Sequence, residues 1–168
     1  MNAIHILRTM HADTKVRFKL ILGADEPTSA ARQWEELQPL LALHEDLEDK
    51  CLYGPIFEEM GPDTPLGDWE ARHEADVASV QQLIQAANQL DPASPEWSMA
   101  IGRVADTLQK HVTDEEGQIF GLIEEVWSPV RLEQVGQQIQ KMNDSAQPPT
   151  GADRDAAESI GATHGKEA

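Results

Sequence analysis

Cysteine is nearly absent from this chain of 168 residues, and the single Cys51 excludes an internal disulfide or a Cys-rich zinc or iron–sulfur site. Basic residues are scarce too: 13 Lys and Arg face 30 Asp and Glu, a formal net charge of −17. Phosphate backbones are bound by clustered Lys and Arg that release counterions, so nucleic acid is not an expected partner. Anionic membrane surfaces are disfavoured for the same reason. No run approaches the ~18 consecutive apolar residues of a membrane span. The opening Met1-Asn2-Ala3-Ile4-His5 lacks the basic-then-apolar pattern of a signal peptide, which makes a soluble cytoplasmic protein the expectation. Val, Ile and Thr form no alternating runs, so no strand is expected. An acidic chain of this kind is suited to attracting and holding cations.

Hydrophobic residues make up 40% of the chain, enough for one domain with a core. Breakers at Gly23–Ser29, Gly61–Gly67, Asp91–Pro95 and Ser128-Pro129 divide it into four long segments. Ser29 and Ser94 are candidate N-caps, the second followed by Pro95 at the first helical position. Apolar residues recur by threes and fours in each segment. Ile4, Leu7, Phe18 and Ile21 mark the first, and Trp34, Leu37, Leu41 and Cys51 the second. Trp69, Val77, Val80 and Ile84 mark the third, and Trp97, Ile101, Val104 and Leu108 the fourth. The expected fold is all-α: an up-down-up-down four-helix bundle with helices of ~20–30 residues. Pro39 should kink the second helix or make it start afresh. The stretch 130–142 is expected to add a short helix, closing a domain of residues 1–142. Residues 143–168, rich in Gly, Pro, Ala, Ser and charge, are expected to form a disordered acidic tail.

The polar residues that interrupt the apolar stripes carry the functional signal. His11 lies on the first stripe, His44 and Glu48 on the second, His73 on the third, His111 and Glu115 on the fourth. Residues four apart on a helix differ by only ~40° in direction and ~6 Å in height, so His44/Glu48 and His111/Glu115 are each a side-by-side nitrogen and carboxylate pair. Two carboxylates facing a core repel and are costly to bury unless a cation compensates them. Helix-bundle di-iron proteins use inward-facing pairs of this kind, and imidazole with carboxylate suits iron, manganese or zinc. Glu116 points ~140° away from His111, so Glu115 is the expected inward acid, with Glu116 as a further ligand or a partner to one. His5 lies off its helix's stripe and reads as exposed; His164 falls in the tail; Cys51 and the tryptophans read as packing residues.

His11 in LRTMHADTKVRF, His44 and Glu48 in LALHEDLEDKCLYGPIF, His73 in WEARHEADV and His111 with its acid pair in LQKHVTDEEGQIF resemble the hemerythrin-like HHE cation-binding family. The resemblance covers roughly residues 1–127 and is nearest to the mycobacterial-type branch. It implies a non-haem di-iron centre, two iron ions bridged by the two carboxylates, with His11, His44, Glu48, His73, His111 and Glu115 as ligands. Oxygen carriers of the family have a further histidine where this chain has Val77, and place the last acid at the position of Glu116. Terminal coordination is thus one histidine short. Glu45, Asp76, water or substrate are the candidates to fill it, with Glu45 equally readable as a solvated acid and Asp76 as a partner to His73. The implied ligands are O2, peroxide or nitric oxide, in a setting of oxidative or nitrosative stress. Two alternatives stand beside decomposition of hydrogen peroxide in a catalase-like reaction: a sensor or carrier of O2, NO or iron without turnover, and a structural metal-binding bundle.

Overall fold

The computed structural model describes residues 1–146, which are mostly helical, with no strand among them. Helix α1 spans Ala3–Leu22 and α2 spans Pro27–Glu48. A π-helical turn, Asp49–Tyr53, carries α2 without a break into α3, Gly54–Met60. Helix α4 is Pro65–Ala87 and α5 is Pro95–Asp114. A second π-helical turn, Glu115–Ile119, joins α5 to α6, Phe120–Val126, and α7 is Pro129–Ala146. The described residues therefore form five continuous helical runs.

Local chemistry explains most of the boundaries. Asn2, Thr64 and Ser94 cap α1, α4 and α5 by accepting a backbone N–H three residues on. The expected cap at Ser29 is not one: α2 starts at Pro27, whose fixed φ and missing N–H suit a first turn, and Ser29 lies inside the helix. Helix α2 also runs through Pro39 without restarting. Pro39 is exposed, so the bond it removes leaves its carbonyl partner near water. The extra helix after Pro129 is present and reaches Ala146, four residues past its expected end at Met142. The remainder of the expected tail, with His164, lies outside the described residues.

The two π turns occupy equivalent places, one directly after Glu48 and one opening at Glu115. A π turn closes i→i+5 bonds and so holds one residue more than a regular turn. In the first, Gly54 N–H bonds to Asp49 O, which comes so close that a Cβ on residue 54 would lie 2.7 Å from it. Glycine is needed there. The widened backbone also precedes Pro55, whose ring would clash with the preceding turn of a regular helix.

Two apolar clusters hold the helices together. One joins Leu7, Leu47, Cys51, Tyr53, Trp69, Ile119 and Phe120 with Leu132 and Ile139 of α7. The other joins Phe18, Trp34, Leu37, Val80, Trp97 and Ile101. Helix α1 packs on α2, α5 and α7, and α4 packs on α5 and α3. At the α3 end, Trp127 donates its indole N–H to Glu59 (3.0 Å) while Arg131 pairs with Glu59 and covers the indole face. On each long run the polar stripe residues lie between the two clusters. The first cluster precedes them on α1 and α4, and the second precedes them on α2 and α5.

Candidate metal centre

The structure brings all six expected side chains to one place. His11, Glu48, His73, His111 and Glu115 are buried, with Glu48 and Glu115 at 1% and 0% exposure, and His44 is half-buried. They fall into two groups whose donor atoms lie within 4.8 Å of one another, His11–His44–Glu48 and His73–His111–Glu115. A third group, Glu45–Glu48–His111, spans the two. Each of α1, α2, α4 and α5 contributes at least one side chain, and each is placed by the apolar residues one or two turns to either side of it.

Within the groups the distances are short. His44 Nε2 lies 3.2 Å from Glu48 Oε1, and His111 Nε2 lies 3.2 Å from Glu115 Oε1. His11 Nε2 is 3.0 Å from His44 Nε2, 3.6 Å from Glu48 Oε1 and 3.5 Å from Glu115 Oε2. His11 Nε2 and His44 Nε2 share a hydrogen bond, whereas Glu48 Oε1, Glu115 Oε2 and His111 Nε2 are buried atoms with no hydrogen-bond partner. Orphaned acceptors at this depth cost roughly 1–3 kcal/mol each, more when charged. Imidazole nitrogens and carboxylate oxygens converging at this depth, several of them without a hydrogen-bond partner, are what a cation requires, and the donor set fits one.

The surroundings fix these groups. Glu116 is not among the inward donors; its Oε1 accepts from His11 Nδ1 at 2.8 Å, which turns Nε2 toward His44, Glu48 and Glu115. Glu115 is the inward acid, as its ~40° offset from His111 predicts. Tyr53 on the first π turn donates its phenol O–H to Glu115 Oε1 at 2.6 Å. Glu45, partly exposed, reaches the centre and sits 3.1 Å from His73 Nε2. Asp76 does not join the three groups; it lines the cavity beside them with Val77. Phe120 stacks on His11 and Trp69 on His111, and Tyr53 lies tilted against His73. His5 is exposed, and buried Cys51 lies 3.4 Å from Met142 Sδ, a packing contact.

Electrostatics follow from the crowding of acids and imidazoles. Burial pulls the His111 pKa down, but its pairing with Glu115 and the charges of Glu48 and Glu45 outweigh that and raise it to about 9. His11 and His73 are raised in the same way, against burial, by Glu48 and Glu45 respectively. Burial pushes Glu48 up, yet His44 and His11 hold it well below the usual carboxylate range. Burial, then the Glu115 charge, keeps the Tyr53 phenol protonated far above its ordinary range. Sequence reasoning missed Tyr53 as part of the site, and also Trp69 and Phe120 as its walls. The aromatic-Gly-Pro run at 53–55 was the available signal.

Comparison with known proteins agrees with this geometry. Residues 2–123 match the model of the hemerythrin HHE cation-binding domain. A crystal structure of a hemerythrin HHE cation-binding domain-containing protein from Mycobacterium kansasii has the same fold, with a TM-score of 0.73 over 86% of each chain at 19% identity. A DNA nickase of Nostoc sp. is 22% identical over 134 residues, 80% of this chain but 37% of that protein, so the chain spans little more than a third of its length. With a family match across most of its length and a centre of buried histidines and carboxylates, the chain belongs to the hemerythrin HHE cation-binding domain family.

Proposed function

We propose that this chain holds two iron ions, one at His11–His44–Glu48 and one at His73–His111–Glu115, and handles O2, peroxide or nitric oxide there. The observation that carries the reading is the pair of donor groups joined by Glu48 and Glu45, with buried carboxylate oxygens that have no hydrogen-bond partner. Glu48 and Glu115 would hold the metal as carboxylate ligands, and Glu45 would supply a further oxygen in place of the histidine missing at Val77. The order of the two apolar clusters along α1, α2, α4 and α5 supports an up-down-up-down bundle, with the centre midway along it.

Iron in such a site supplies reversible electron transfer and positions open to a small ligand. The protein's own part is to aim Nε2 of His11 inward through Glu116, to hold Glu115 through Tyr53, and to exclude bulk water with Trp69 and Phe120. A partly exposed carboxylate in place of a fifth imidazole favours exchange and chemistry over storage. Peroxide decomposition, two H2O2 giving two H2O and one O2, is the most concrete activity. A nicking activity is not favoured, because a chain of net charge −17 repels phosphate.

Metal analysis of protein produced without added zinc should give about two irons per chain; finding none would sink the reading. Oxygen release from added peroxide, with transient changes in the metal absorption, is expected of an enzyme. A stable adduct that reverses when the ligand is removed would instead support a sensor or carrier, the second reading that the same geometry allows.

A further inference from the structure

Helix α1 departs from the charge of the chain as a whole. Four of the 13 basic residues stand on it, Arg8, Lys15, Arg17 and Lys19, and Asp13 is its one acid, although acids number 30 overall. At about 100° per residue, Arg8, Lys15 and Lys19 fall within ~40° of one another and form a row ~17 Å long. All three are exposed. An apolar row runs beside them, Ala12, Val16 and Leu20, also exposed, the last two at 53% and 57%. Beyond it Arg17 holds Asp13 at 2.6 Å. On the other flank, Asp106 and Glu116 border the basic row.

The row lies over the metal centre's α1 side. His11 stands on the same helix, one turn from Lys15. Arg8 donates to the Glu116 carbonyl at 3.5 Å, and the Glu116 carboxylate, 34% exposed, accepts from His11 Nδ1. The face is small. A strip of that length and a helix's width of ~10 Å covers roughly 200 Å², far below the ~800 Å² per partner of a stable complex and within the range of transient redox encounters. Such encounters are steered by opposite charge. At physiological salt the Debye length is ~8 Å, so acids elsewhere on the chain are screened while a contact made at the row is not. An extended polyanion, a duplex or an anionic membrane, would meet the flanking acids together with the row. A compact acidic surface with an apolar spot matches the row and its Val16–Leu20 neighbour alone.

We propose that Arg8, Lys15 and Lys19, with Val16 and Leu20, form the docking face for a small acidic one-electron carrier protein, which passes electrons to the centre on its His11 side. Each transfer oxidises the carrier by one electron and reduces one ferric ion to ferrous. The docking stands on the charge and exposure of α1, and the transfer rests on the di-iron reading above.

The test uses the iron-loaded full chain and an acidic plant-type [2Fe–2S] ferredoxin. Expected are saturable binding by calorimetry that weakens as salt rises, and reduction of the centre by the reduced ferredoxin, followed by absorption. Lys15→Glu combined with Lys19→Glu should lower both the affinity and the second-order rate at least tenfold, with helix content and iron content unchanged. Arg32→Glu combined with Lys50→Glu alters net charge equally at exposed sites on α2 and the first π turn, and should leave both quantities within twofold. The proposal is overturned by unchanged binding in the α1 variant, by an equal loss in the control variant, or by binding that brings no reduction of a loaded centre. Tighter binding of duplex DNA or phosphatidylserine vesicles than of the ferredoxin overturns it as well. Iron content separates the two readings: two irons without ferredoxin binding refutes this proposal alone, and binding that needs Lys15 and Lys19 in protein without iron refutes the di-iron reading while the docking stands.

Discussion

Replacing Tyr53 by Phe removes one oxygen and tests whether the protein itself compensates its deepest carboxylate. Glu115 is 0% exposed, and Tyr53 O–H donates to its Oε1 at 2.6 Å, with His111 Nε2 3.2 Å from the same oxygen. The phenol, held protonated by burial and by the Glu115 charge, donates at every working pH. The ring would stay where it is, stacked on Phe57 at 5.6 Å and against His73 at 4.8 Å. What is lost is a hydrogen bond to a charged group, about 1.5–3 kcal/mol. At this size that corresponds to a fall in Tm of roughly 5–10 °C. Iron at the centre would neutralise much of the Glu115 charge, so the loss should be smaller in the loaded protein. Calorimetry of chelated and iron-loaded forms of both proteins reads the difference directly. A chelated Tyr53→Phe protein that melts within a degree of the parent refutes the argument. So does a loss that is larger in the loaded form, since Tyr53 would then be acting on the cation rather than on a bare carboxylate.

Other outcomes follow from the same geometry. Glu48→Ala and His111→Ala should each lower iron content by at least one ion per chain, measured by elemental analysis; unchanged iron in either removes that residue from the ligand set. His111 is raised from 6.5 to about 9, so its protonated form contributes stability in full below pH 6.5 and loses it as pH rises through 9. The chelated protein should therefore show a falling Tm from pH 6.5 to 9, while manganese(II) affinity, which needs unprotonated imidazoles, strengthens over the same window. A Tm that is flat or rises would contradict the sign. Gly54→Ala places a Cβ 2.7 Å from Asp49 O and should cost about 1–3 kcal/mol in chemical denaturation. Ser94→Ala, which removes the cap on Trp97 N–H, should cost about 1 kcal/mol by the same measurement.

The helices and the six inward side chains were legible because a 3.6-residue period leaves its mark directly in the order of residues. A histidine and an acid four apart share a face whatever the rest of the chain does. Pro39 was harder, because its effect depends on what lies outside the helix: it is exposed at a cavity rim, where the missing bond is tolerated. Ser29 resembled a cap by type, but Pro27 had already set the start of α2. Glu45 was ambiguous on paper and is intermediate in fact, partly exposed and touching His73. The π turns left only a trace, Gly54-Pro55 in one of them, since an extra residue in a turn is decided by packing between helices. Tyr53 was hidden for that reason: its partner Glu115 lies 62 positions away on another helix.

The π turns also make the chain unequally tolerant of length changes. Each is in effect a one-residue insertion, and deleting it would retract everything downstream by ~1.5 Å and turn it by ~100°. A deletion within Asp49–Tyr53 would leave His44 and Glu48 in register while swinging Ile56 and Phe57 out of the core. Lengthening the loop at Gly61–Thr64 would disturb neither, because the helices on either side could keep their phase. Relatives that vary in length should thus do so between helices and not within these two turns, where a missing residue would uncouple the donors from the core that holds them.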